Sequence, residues 1–159
     1  MSPGHGPLDV QLERWPDQAI LEFVLFAPPA GGPWSAAPGF ADTDAAGCPR
    51  RLHFAPRRWL LPAADAALRS ELAAAVAGGL GACVDVTGKW LALRARGPDA
   101  RRALASTIDI DAVLAGRECA AVTLFDCPAI VLRDGGGYRL WVAASYAASF
   151  EAAVERVRR

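Results

Sequence analysis

The sequence predicts an α+β protein with largely antiparallel sheets. Segments rich in β-branched and aromatic residues come in groups rather than singly between helices. Tight turns at Thr87-Gly88-Lys89 and Asp134-Gly135-Gly136-Gly137 join neighbouring segments, and such turns join antiparallel strands. Helical spacing enters only between these groups, in the order strands, helix, strands, helix, strands, helix. That order argues against a parallel Rossmann sheet.

Taken along the chain, Met1–Gly6 is short, Gly/Pro-rich and expected to be disordered. Ile20–Phe26 reads as a strand. Ala27–Pro49 is dense in Pro, Gly and Ala, with Trp34 and Phe40 embedded, and reads as a long irregular loop. Arg51–Phe54 and Arg58–Leu61 are short strands around Pro56. A helix follows over Ala64–Ala77, with Leu61, Leu68, Leu72 and Val76 at helical spacing and Gly78-Gly79 as its stop. Cys83–Val86 and Trp90–Arg96 are strands. Gly97-Pro98-Asp99-Ala100 opens a helix, with Pro98 at the first helical position, Asp99 at the positive end of the dipole, and Leu104 and Ile108 inward. Cys119–Phe125, Ala129–Arg133 and Tyr138–Val142 are strands, the last two forming a hairpin. Ser145 is expected to cap a final helix whose Tyr146, Phe150, Val154 and Val157 face inward. The whole, residues 1–159, is expected to be a single domain.

Composition narrows the function. The chain has 159 residues and a mass of 16.7 kDa, enough for a real core without metals or disulfides. It is 53% hydrophobic and 21% charged, with a mean hydropathy of +0.19, which excludes a disordered chain. Its 17 basic and 17 acidic residues cancel, which argues against an electrostatic grip on nucleic acid or an anionic membrane. No apolar run is long enough for a transmembrane helix, and Glu22 interrupts the one apolar stretch near the start. Lys89 is the only lysine, and His5 and His53 are the only histidines. Cys48, Cys83, Cys119 and Cys127 lack zinc spacing and read as reduced, mostly buried thiols of a cytoplasmic protein.

Each candidate for chemistry has a structural alternative. Gly135–Gly137 lacks the spacing and the following helix of a phosphate loop, so a hairpin turn is preferred. Gly97-Pro98-Asp99-Ala100 reads as a cap rather than an anion site, since Asp99 would repel an anion. Asp109 and Asp111 alternate with Ile108 and Ile110, and read as a solvated strand face rather than an acid–base or cation-binding pair. Asp85 reads either as a buried functional carboxylate or, by alternation, as an outward one; the outward reading is preferred. Arg57, Arg58, Arg94 and Arg96, with Trp15, Trp34, Trp59, Trp90 and Trp141, offer an Arg/Trp surface. Most of these tryptophans are expected in the core and one or two at an interface. No catalytic, cofactor-binding or metal-binding residue is assigned.

Several segments resemble the gamma subunit of heterotetrameric sarcosine oxidase. Val84-Asp85-Val86-Thr87-Gly88-Lys89-Trp90-Leu91-Ala92-Leu93-Arg94 with Gly97-Pro98-Asp99-Ala100-Arg101 resembles its "DVS-x-(R/K)-W-x-x-L-x-x-x-GP-x-A" segment. Arg58-Trp59-Leu60-Leu61-Pro62 resembles its "W-L-L" strand. Ile108-Asp109-Ile110 resembles "L-D-L", Gly116–Thr123 resembles "G-x-C-A-x-T", and Ser145-Tyr146-Ala147 matches "S-Y-A". The resemblance runs in order from about Leu52 to Val157, and the first fifty residues match poorly. That family is similar to the folate-binding fold of aminomethyltransferases, with repeated antiparallel β/α halves. The resemblance implies a non-catalytic structural and assembly subunit of a flavin-dependent sarcosine, or other secondary N-methyl amine, oxidase. Its partners are large alpha and beta flavoprotein subunits. FAD, FMN, NAD, tetrahydrofolate and zinc are expected in the partner subunits and none in this chain. Self-association is expected when the chain is alone. The alternative is a stand-alone folate-binding or aminomethyltransferase-like one-carbon enzyme. No catalytic residue carries over, because the matching motifs are structural.

Overall fold

The computed structural model describes residues 6–15 and 19–159. All but Gly6 of the expected disordered start, and His5 with it, lie outside the described residues. The elements are β1 (Gln11–Arg14), β2 (Ile20–Leu25), β3 (Ala41–Thr43), β4 (Pro49–Ala55), β5 (Arg58–Pro62), α1 (Ala66–Ala77), β6 (Gly81–Asp85), β7 (Trp90–Arg96), α2 (Ala100–Ala105), α3 (Ile110–Val113), β8 (Cys119–Leu124), β9 (Cys127–Asp134), β10 (Gly137–Ala143) and α4 (Ala147–Arg158). They form two five-stranded antiparallel sheets, ordered β1-β7-β10-β9-β8 and β3-β4-β5-β2-β6, so the α+β expectation holds. The chain groups into two compact units. The first comprises 1–16, 89–115 and 121–159, and the second comprises 17–88 and 116–120.

In the second unit, β2 pairs with β5 on one side and β6 on the other. Odd-numbered residues of β2 point to a core of Leu21, Phe23, Leu25, Trp34, Trp59, Leu61, Ala64, Leu68 and Leu72. Helix α1 starts where Asp65 accepts a hydrogen bond from the Leu68 N–H at 2.7 Å. It ends at Gly79, whose φ of +73° admits a left-handed stop. The Gly79 N–H then donates to Val76 and the Leu80 N–H to Ala75, both at 3.0 Å, and Leu80 packs back on the core. Val76, expected in the buried stripe, is 39% exposed. Leu68 and Leu72 alone hold this Ala-rich helix to the sheet, and Val76 lies past the end of that contact.

The 27–49 segment is not wholly irregular. Its end forms β3 and the start of β4, and Trp34 inserts into the core at 4.8 Å from Phe23 and 5.3 Å from Trp59, both edge-on. Residues 116–120 return to this unit as a clip. The Glu118 N–H donates to Gly39 at 2.8 Å, and the Glu118 carboxylate accepts from the Ala41 N–H at 2.7 Å.

In the first unit, β7 lies between β1 and β10, and the β9–β10 hairpin turns at Gly135-Gly136, with φ of +46° and +92°. Phe125 and Asp126 join β8 to β9, also with positive φ. Leu93, Leu140 and Val131 share one face of this sheet and are buried. Phe150, Ala153 and Val154 form the buried stripe of α4. The final helix departs from expectation at its start. A 3-10 turn over Ala144–Tyr146 comes first, so Ser145 does not cap α4 and Tyr146 is 44% exposed instead of inward. The N-terminal segment closes the other end, where the Leu8 N–H donates to the Arg158 carbonyl at 3.0 Å.

Candidate functional site

The residues singled out from the sequence divide into those that build the fold and those that remain on its surface. Gly135–Gly137 is a hairpin turn, as expected. A Cβ on Gly137 would lie 2.4 Å from the Ala95 carbonyl, so this glycine admits the neighbouring strand. Gly97, with φ +107°, admits the Asp9 carbonyl in the same way. The Asp99 carboxylate accepts from the Asp9 N–H at 2.9 Å and makes no bond to its own helix. Pro98 precedes the N-cap rather than occupying the first helical position, because Asp99 itself is the N-cap.

Asp109 and Asp111 do not share a strand face. Asp109 caps α3 by accepting from the Ala112 N–H at 3.1 Å, and Asp111 pairs with Arg101. Helix α3 forms because Asp109 supplies an acceptor where the Ile-Asp-Ile alternation suggested a strand. Asp85 is exposed, as preferred. It accepts from the Thr87 N–H at 2.9 Å and the Thr87 hydroxyl at 2.6 Å, and that hydroxyl is the main cause holding its carboxyl below the usual range.

The Arg/Trp surface is redistributed. Trp34, Trp59 and Trp141 are buried, while Trp15 and Trp90 are half-buried. Trp34 is therefore corrected from a docking residue to a core residue. Its indole is large enough to fill the space beside Phe23 and Trp59, and the Arg51 guanidinium stands 5.4 Å from its centre. Arg57 and Phe40 stay exposed. Arg58 pairs with Glu22 across β2 and β5. Register places Val84 of edge strand β6 opposite Glu22 of β2, with Val24 and Phe26 following Glu22 on the same face. Phe26 is 63% and Val84 is 54% exposed. Arg57 donates to the Phe26 carbonyl at 3.2 Å, which leaves an apolar strip with a cation at its end. Phe26 and Val84 were not singled out in the sequence. The signal was the apolar run Ile20–Phe26, whose outward positions carry apolar side chains.

All four cysteines are free thiols. Burial pushes the Cys119 thiol up to about 12, which makes it a poor nucleophile. His53 is buried and stacks on Trp59, with ring centres 4.4 Å apart. Its Nδ1 lies 2.6 Å from the Ala36 carbonyl, and burial lowers its pKa.

The first unit holds a charged cluster that sequence reasoning missed in part. Glu13, Arg94 and Arg139 face one another across β1, β7 and β10. Arg94 and Arg139 both bond the same oxygen of Asp134, at 2.7 and 2.8 Å. The Arg139 guanidinium lies 3.7 Å from the centre of the Trp15 ring. Arg139 stands in Gly-Tyr-Arg-Leu-Trp, where alternation gives no reason to expect an arginine to be 4% exposed.

The fold defines a class of protein: two antiparallel five-stranded sheets, each with helices, in one short chain. A chain of the heterotetrameric sarcosine oxidase from Corynebacterium sp. U-96, solved in complex with pyrrole 2-carboxylate, has this fold. The TM-score is 0.76 at 21% identity, over 94% of this chain and 83% of that one. No protein-family model matches the chain, and no curated protein sequence does. Among the described residues, no helix is long and apolar enough to cross a membrane.

Proposed function

We propose that this chain is a non-catalytic assembly subunit of a flavin-dependent oxidase acting on sarcosine or another secondary N-methyl amine. The supporting observation is the likeness to a chain of the Corynebacterium sarcosine oxidase, which runs across both units and nearly the whole length. The resembling motifs agree in place: Trp90 opens β7, Gly97-Pro98-Asp99 precedes α2, and Ser145-Tyr146-Ala147 leads into α4. In this reading the fold derives from the aminomethyltransferase folate-binding domain, and the complex is cytoplasmic. The partners are large alpha and beta flavoprotein chains, and FAD, FMN, NAD, tetrahydrofolate and zinc belong to them. The Phe26–Val84 strip with Arg57 supplies exposed apolar and cationic surface for the contact, expected to bury about 800 Å² per partner.

Co-expression with the neighbouring oxidase genes, followed by size exclusion, tests this. Co-elution with the flavoproteins, and loss of oxidase activity when the gene is deleted, are expected. Separate elution with unchanged activity overturns the proposal. Calorimetric binding of tetrahydrofolate to the isolated chain at about micromolar Kd or tighter would instead favour the one-carbon enzyme reading.

A further inference from the structure

Arg94 and Arg139 are direct cross-strand partners on β7 and β10. Like charges in that position repel, so the pair needs negative charge. One carboxylate, Asp134, answers both, and it does so through a single oxygen. The donors are not exhausted. Arg139 Nη1 and Arg94 Nε are buried with no hydrogen-bond partner. Leaving charged donors unpaired in the interior is costly, and Trp15 stacked on Arg139 contributes no acceptor. Arg14 is engaged by Glu151 in a bidentate pair at 3.0 and 3.1 Å. Two cations therefore share one anion, and the cluster lacks one negative charge.

A cleft of about 210 Å³ adjoins this cluster, lined by Glu13, Arg14, Trp15 and Arg94. The Arg94 side chain keeps 28% of its surface exposed there. The volume suits a small acid rather than a nucleotide. Guanidinium groups take planar carboxylates in paired hydrogen bonds. Asp134 and Glu13 make the surroundings too acidic for a dianion, whereas a single negative charge balances the cluster.

We infer that the Arg94–Arg139–Trp15 cleft is a recognition site for one carboxylate group. The carboxylate bonds Arg94 at the cleft wall, and a turn of the Trp15 ring opens Arg139 Nη1 to it. The group comes from a free small acid or from an acidic side chain of another chain. The site lies within the first unit and does not depend on the proposed assembly.

The test is an NMR titration of the full chain with sodium acetate, replacing chloride at constant ionic strength. The reporters are the Trp15 indole N–H and the Arg94 and Arg139 Nε–H signals. A saturable shift of all three is expected, with Arg94→Gln weakening acetate about tenfold. Arg139→Met is expected to abolish the response. Should that variant fail to fold, Arg94→Gln, at a more exposed position, carries the test alone. Saturation by acetate but not by N-acetyl-aspartate N-methylamide assigns the site to a free acid. Saturation by both assigns it to an acidic side chain. A drift that chloride reproduces, or an Arg94→Gln titration like the parent's, overturns the inference.

Discussion

The two units solve one problem with different interiors. Each holds a five-stranded antiparallel sheet, but the second is centred on aromatic rings and the first carries an ionic row on one sheet face. In the second, Phe23, Trp34, Trp59, Phe40 and His53 make successive ring contacts through Trp59 or Trp34. In the first, Arg94, Arg139 and Asp134 occupy strand positions that apolar residues normally fill. Aromatic packing depends on shape and tolerates changes of pH. An ionic row depends on balance, and loses far more when one member is removed than when all are replaced together.

Substitutions separate these cases. Trp59→Ala removes the side chain that Trp34, Phe40 and His53 all contact, and is expected to cost about 3–5 kcal/mol. Chemical denaturation measures the loss, and hydrogen exchange should place it first in β4 and β5. A cost under about 1 kcal/mol would mean that Trp59 is not the hub of that core. Asp134→Asn leaves Arg94 and Arg139 facing each other without a counter-charge, for an expected loss of about 3 kcal/mol concentrated in β7 and β10. Replacing all three with apolar residues should recover most of it, and failure to recover would show that the row is more than a balance of charges. Asp65→Ala removes the side-chain cap of α1, worth about 1 kcal/mol, measurable as a lower Tm.

The smallest expected effect is on pH. Burial lowers the His53 pKa in the folded chain below its ordinary value of 6.5. The unfolded chain therefore binds more protons, and stability rises with pH through this range. The contribution is whole above about pH 6.5 and fades as pH falls towards the lowered folded value. Denaturation midpoints of the parent and His53→Gln, compared between pH 7.5 and 5, should converge on acidification. Parallel curves would show that His53 is not held neutral.

Much of this was legible in the sequence where local chemistry and tertiary structure agree. Trp90–Arg96 is β7 with the expected bounds, and Gly135-Gly136 turns the expected hairpin, because alternation and glycine conformation decide both. β1 was not legible. Gln-Leu-Glu-Arg has one apolar residue, and only pairing with β7 makes it a strand. Asp109 misled because the same residues suit a strand by alternation and a helix by capping, and the cap prevailed. Trp34 misled because loop composition hides a side chain that the core of its own unit takes up. The Arg139 cluster was invisible, since the charge that offsets it is five residues away along the chain and adjacent only across the hairpin.

The order of the strands along the chain bears on synthesis. β1 leaves the ribosome first, yet its partner β7 follows only after the whole second sheet has been made. At ordinary translation rates that interval is on the order of ten seconds, long compared with hairpin formation. All five strands of the second sheet emerge in one uninterrupted run, whereas β1 waits as an unpaired polar segment. Its charges at Glu13 and Arg14, and the lack of an apolar face, protect it from premature pairing during that delay.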